Sequence, residues 1–82
     1  MKTGALPERQ LRLLGQRLAG HRAHLGWRRD ALAERAHIDV GTVYRLEKGA
    51  CPYVQASTIC ALATALGVPT DWLLGMDVAS TA

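Results

Sequence analysis

Between Arg28 and Gly49 the chain, RRDALAERAHIDVGTVYRLEKG, reads as two short helices joined by a tight turn. Leu32, Ala33 and Ala36 recur at helical spacing and give the first helix a narrow apolar face; Val43 and Leu46 repeat the spacing in the second. Ala33 is small where a second helix must approach closely. Asp39 is a good N-cap for the second helix, because its carboxylate can accept from the backbone N–H of Gly41 or Thr42. Gly49 stops that helix after Lys48, since glycine enters the left-handed region at little cost.

The flanking sequence supplies three more helices. Pro7 and Glu8 suit the first turn of helix 1, which is expected to run to about Leu25 with Leu11, Leu14, Leu18 and Leu25 as its buried stripe. Gly15 and Gly20 weaken it by roughly 1 kcal/mol each relative to alanine, so close packing is the expected reason for both. Gly26 ends it, and Trp27 is expected to cover the core between helices 1 and 2. Helix 2 spans about Arg28 to Ala36 and helix 3 about Val40 to Lys48. Residues 49–57 form a loop interrupted by Pro52. Ser57 is expected to cap helix 4, about Thr58 to Leu66, with Ile59, Leu62, Ala63 and Leu66 inward. Thr70 is expected to cap a short helix 5, where Trp72 and Leu73 close the core. The expectation is an all-α, five-helix domain over residues 7–76. A flexible N-terminal arm (1–6) and a flexible C-terminal tail (77–82) flank it.

Composition narrows the function classes. Eighty-two residues bound the chain to one domain. No apolar run approaches the ~20 residues needed to span a bilayer, and MKTGALPERQ lacks the apolar segment of a signal peptide, so a cytoplasmic, reduced setting is expected. Cys51 and Cys60 are then free thiols. His21 and His24 stand three apart on helix 1, but with His37 and the two cysteines they show none of the ligand spacing a zinc site requires. No nucleophile motif is present, so neither catalysis nor a cofactor nor a metal is expected.

Charge points to a partner. Residues 1–50 hold ten Lys/Arg against five Asp/Glu, whereas residues 51–82 hold only Asp71 and Asp77. The basic half is the half with the paired helices. Their layout is that of a helix-turn-helix, whose second helix lies in the DNA major groove. Basic charge there is the footprint of a phosphate-binding face, although Arg9, Arg12 and Arg17 read as solvated positions. Arg28 and Arg29 at the start of helix 2, Lys48 at the end of helix 3, and the free N–H groups around Ser57 and Thr58 are the phosphate-contact candidates.

The ordered set Leu18, Arg22, Gly26, Leu32-Ala33, Ala36, Ile38, Thr42-Val43, Arg45-Leu46-Glu47-Lys48-Gly49, Leu62-Ala63, Ala65-Leu66-Gly67-Val68 and Asp71-Trp72-Leu73-Leu74-Gly75 resembles the lambda-repressor-like DNA-binding domain. That family, the Cro/C1-type or XRE regulators, is matched over roughly residues 11–75. The resemblance implies base contacts by Val40, Gly41, Thr42 and Arg45. Arginine can bind guanine O6 and N7 bidentately, worth ~1–3 kcal/mol of discrimination. The alternatives are a phosphate or solvent role for Arg45 and turn packing for Val40. The resemblance also implies an ion pair of Arg22 with Glu47 that locks helix 3 to the scaffold. It implies a homodimer contact near Tyr53, Val54, Val68, Pro69 and Thr70, to which Leu11 and the arm could add; Val54 and Val68 could equally be core.

Three departures stand out. Gly41 replaces the polar, often amide, side chain of many relatives, Asp39 replaces a Ser or Thr cap, and Arg28-Arg29 stand where Gln is usual. They suggest a binder that leans on backbone contacts. Gly41 would let the backbone approach the groove, and Asp39 would need an arginine neighbour. The function implied is a transcriptional regulator, a repressor binding double-stranded DNA at a two-fold symmetric operator as a homodimer. The alternatives are an antitoxin that autoregulates its operon with a toxin partner, or a protein-interaction module that kept the fold and lost DNA binding.

Overall fold

The computed structural model describes residues 6–51 and 53–75. Among them are five helices: α1 (Glu8–His24), α2 (Arg29–Ala36), α3 (Val40–Glu47), α4 (Ala56–Leu66) and α5 (Thr70–Leu74). Pro52, residues 1–5 of the expected arm and residues 76–82, which include the expected tail, lie outside the described residues. Leu6, read from sequence as part of the arm, is half-buried and packs on the core.

Each helix contributes its apolar stripe to one core. Leu14 and Leu18 of α1, Leu32 of α2, Val43 and Leu46 of α3, Leu62 of α4 and Leu73 of α5 are almost wholly withdrawn from solvent. Burial of such a side chain stabilises the fold by roughly 1.5–3 kcal/mol. Among the described residues no residue buried as a whole is polar or charged; the Glu47 side chain, though not its whole residue, is withdrawn from solvent. α1 packs on α3 and α5, and α2 on α3 and α4, so the short α2–α3 pair is held from behind on both sides.

The turn between α2 and α3 rests on local chemistry. His37 adopts φ 59°, and Ile38 N–H donates to Ala33 O at 3.0 Å while His37 N–H donates to Glu34 O at 3.2 Å. This closes α2 with a left-handed residue followed by an apolar one, half-buried Ile38. Asp39 then starts α3, its carboxylate accepting from Gly41 N–H at 2.8 Å. A left-handed histidine is uncommon but enriched relative to most side chains, and no glycine marks this helix end in the sequence.

Four expectations need correction. Leu25 is exposed, because it lies past the last full turn of α1 where the chain bends away at Gly26. α4 begins at Ala56 with Gln55 at the cap position, so Ser57 is inside the first turn and caps nothing. Pro69 occupies the cap position of α5 and Thr70 is its first residue; no side chain caps it. Arg17 is half-buried: it donates to Trp72 O, its guanidinium lies 4.8 Å from the Trp72 ring centroid, and it ties α1 to α5. Gly15 and Gly20 also part company. A Cβ at Gly15 would lie 2.7 Å from the carbonyl oxygens of Leu46 and Glu47, whereas one at Gly20 would meet nothing within 4 Å. Close helix approach explains the first glycine only.

Candidate nucleic-acid interface

The outer face of α3 leaves two large apolar residues in solvent, one turn apart. Val40 is 45% exposed and Tyr44, one turn on, is 49% exposed. Their helix neighbours Arg45 and Lys48 are exposed as well. Val43 and Leu46 on the opposite face are fully buried. The helix is thus anchored by its inner stripe and presents the other.

An open cleft of about 620 Å³ runs between the N-termini of α2 and α3, and its walls include Arg28, Arg29, Val40, Gly41 and Tyr44. Its shape follows from an ion cluster beneath it. Arg22 of α1 donates from Nε to Glu47 Oε2 at 2.6 Å and from Nη2 to Oε1 at 3.2 Å, and a third bond runs from Nη1 to Trp27 O at 2.7 Å. Arg29 of α2 adds a bond from Nε to the same Glu47 Oε1 at 2.8 Å. The Glu47 side chain is 1% exposed. One buried carboxylate therefore joins three helices, and every one of its hydrogen-bond donors is a guanidinium, the strong charge-assisted kind. The expected Arg22–Glu47 pair is present; the second arginine was not anticipated.

The base-contact candidates lie on or beside that face. Val40 and Gly41 line the cleft. Arg45 donates weakly to half-buried Thr42 Oγ1 at 3.4 Å and is otherwise exposed. A Cβ at Gly41 would lie 2.7 Å from Asp39 Oδ2 and 3.3 Å from Arg45 Nη1. Any larger residue there would make the tips of the Asp39 cap and the Arg45 side chain shift, a contact the sequence did not disclose. The Asp39 carboxylate and the Arg45 guanidinium both stand beside Gly41, but no ion pair joins them among the described residues.

The phosphate-contact candidates separate into two groups. Arg28 and Arg29 line the cleft, and Lys48, the C-cap residue of α3, sits with its Nζ 5.5 Å from the Tyr44 ring centroid. Arg28 is engaged by Asp30 at 2.9 Å, both side chains being exposed. Its guanidinium holds the Asp30 carboxyl below the ordinary carboxylate value, chiefly by the direct hydrogen bond and against a smaller desolvation effect. The same bond raises Arg28 above its own ordinary value. Ser57 and Thr58 are elsewhere: Ser57 opens on a different groove, of about 440 Å³, shared with Arg35, Ala36 and His37 at the end of α2. The structure does not bring them into the cleft.

The expected dimer patch is mixed. Tyr53 is 71% exposed and Pro69 is exposed, while Val54, Val68 and Thr70 are half-buried. Val54 and Val68 pack against the core. Val54 and Thr70 also border a smaller apolar groove of about 250 Å³ with Leu6, Ile59, Cys60 and Leu74. Leu11 is buried and offers that surface little. Cys51 and Cys60 are free thiols.

Tyr44 is the site residue that sequence reasoning missed. The signal was available: it stands four residues from both Val40 and Lys48 and so shares their helix face. Among the described residues no cluster of side chains could hold a metal, and no helix is long and apolar enough to cross a membrane.

The chain is similar to known proteins. The family described as "Helix-turn-helix domain" matches residues 13–73. The restriction-modification controller protein C.AhdI from Aeromonas hydrophila is 33% identical, with 77% of this chain and 94% of that one covered and a TM-score of 0.72. The hypothetical transcription factor NHTF from Neisseria superposes with a TM-score of 0.76 over 100% of this chain and 97% of its own. At 22% identity it speaks for the fold alone. Comparison with curated proteins finds no match.

Proposed function

The chain belongs to the helix-turn-helix domain family, of the Cro/C1 type, and as such is a DNA-binding transcription regulator; on that premise we propose that it is a repressor that covers a two-fold symmetric operator as a homodimer. Residues 7–76 are the DNA-binding unit of this reading. The observation that carries it is the outward face of α3. Val40 and Gly41 line the cleft with Arg28 and Arg29, Arg45 and Lys48 are exposed, and Glu47 holds the helix from behind, an arrangement that supports entry of α3 into a major groove. Phosphate contacts fix register and supply most of the affinity; base contacts specify. Arg45 is the base-reading candidate, Val40 can pack on a thymine methyl, and Gly41 and Thr42 offer backbone and hydroxyl contacts. Thr58 N–H, expected to be free, donates to Gln55 O at 3.0 Å, so only the Ser57 N–H supports a more distant phosphate contact at the start of α4.

Selection of bound sites from a random DNA pool tests the reading. The expected outcome is a symmetric site of two half-sites. Arg45→Ala should then weaken binding to that site by ~1–3 kcal/mol and relax preference at one base pair per half-site. Equal loss on selected and random DNA would reassign Arg45 to phosphate, and an unenriched pool would leave a protein-interaction role in place of operator binding.

A second reading is that the chain controls its own paired operon, of the kind an antitoxin governs with its toxin. It is favoured by the similarity to a protein described as a restriction-modification controller. It requires the selected site to lie upstream of the chain's own gene.

A further inference from the structure

Tyr44 is half exposed, takes no part in the core, and has two cations on its ring. The Arg29 guanidinium carbon lies 5.0 Å from the ring centroid and the Lys48 ammonium 5.5 Å from it. Arg29 comes from α2 and Lys48 from the C-terminal end of α3, so the ring is what brings the two together. Arg29 is gripped twice, by Glu47 Oε1 on its Nε and by Tyr44 on its face. Its Nη groups make no hydrogen bond among the described residues, and Lys48 makes no ion pair among them. Glu47 is already shared between Arg22 and Arg29. Arg22, Arg29 and Lys48 thus converge on a region with Glu47 the one carboxylate among them; Arg28 beside it is paired with Asp30. Two like charges gathered on one aromatic face repel each other. Attraction to the ring offsets this only modestly, by roughly two- to fivefold per cation at an exposed site. The arrangement is complete only when an anion lies across it.

We propose that Tyr44 is a positioning residue for DNA binding: its ring sets Arg29 and Lys48 side by side so that both engage the phosphate backbone at one edge of the groove that α3 enters. This rests on the reading of α2 and α3 as the DNA-facing pair. The ring face does the work. The side chain reads no base, and the effect on affinity is the same for every sequence.

The test is the salt dependence of binding to a random duplex and to the selected site. Each phosphate contact contributes about 0.9 to the slope of log K against log salt concentration. Tyr44→Leu keeps an apolar side chain and removes the π face, and should flatten the slope by one to two such steps on both DNAs. Tyr44→Phe should restore it. Lys48→Ala should cost one step on the Phe background and none on the Leu background. Because Tyr44 is half in solvent, thermal unfolding should find the variants as stable as the parent; if Tyr44→Leu does not fold, the Lys48→Ala comparison on parent and Phe backgrounds still reads whether Lys48 meets phosphate. A Leu variant with the parent slope overturns the proposal. So does a loss confined to the selected site, which would make Tyr44 a base reader. A parent protein with no salt-dependent binding at all removes the DNA reading itself; a parent with a steep slope and indifferent Tyr44 variants removes this inference alone.

Discussion

Glu47 is the residue on which the orientation of the recognition helix depends. Its side chain is 1% exposed and accepts from Arg22, whose side chain is 15% exposed, and from Arg29, 38% exposed. Removing one partner of a buried pair strands the other charge, at ~3–5 kcal/mol. Glu47→Gln should therefore lower stability by about 3 kcal/mol, at the low end because Arg29 can turn to solvent. Arg29→Ala should cost about 1 kcal/mol or less, since Arg22 still neutralises the carboxylate. Urea unfolding of the two variants measures both. Equal losses, or a loss under about 1 kcal/mol for Glu47→Gln, would show that the cluster does not hold the fold. Two arginines are tolerated at the start of α2, an intrinsically unfavourable place for positive charge, because each has an acidic partner: Arg29 shares Glu47 with Arg22, and Arg28 pairs with Asp30.

At the level of the elements, what matters is how closely α1 and α3 approach. At Gly15 the backbone carbonyls of Leu46 and Glu47 occupy the space a side chain would take. Gly15→Ala gains about 1 kcal/mol of helix propensity and loses about 1–3 kcal/mol to overpacking, because backbone cannot step aside as a flexible side chain can. The net effect should be destabilising, with a loss of DNA affinity as the last turn of α3 is pushed outward. Gly20→Ala faces open space and should stabilise by about 0.5–1 kcal/mol. Thermal unfolding of the pair separates packing from propensity; a stabilising Gly15→Ala would mean that the two helices can shift apart freely.

The described residues span 33 × 23 × 19 Å and offer one α3 to the groove. Two half-sites one helical turn apart, ~34–36 Å, need two copies. Residues 51–75 carry a single charged side chain, Asp71, so charge does little to keep two such surfaces apart. Tyr53 is the most exposed large apolar residue described, and Thr70 borders the groove beside α5. The patch is small, so the dimer should be weak in solution and form mainly on DNA. Tyr53→Glu and Thr70→Glu should abolish cooperative occupancy of a two-half-site operator in gel-shift titrations, while circular dichroism finds the monomer folded. Dimeric binding by both variants would move the interface to another face.

The helix pattern was legible in the chain because apolar periodicity, Asp39 and Gly49 act within a few residues of where they stand, and the five helices follow from such local signals. So did the identity of Arg22 and Glu47 as partners, through the family's ordered residues. The cap positions of α4 and α5 were not legible: Ser57 and Thr70 suit a cap by type, but the loops deliver Gln55 and Pro69 to those positions. Nor could the sequence tell Gly15 from Gly20, because the difference is which glycine faces α3. The same limit applies to the site. Sequence proposed Arg29 as a phosphate contact, yet its hold by Glu47 and Tyr44 depends on α2 and α3 crossing where they do. Local chemistry specified the elements; only their packing decided which charges share a partner and which aromatic ring stands between them.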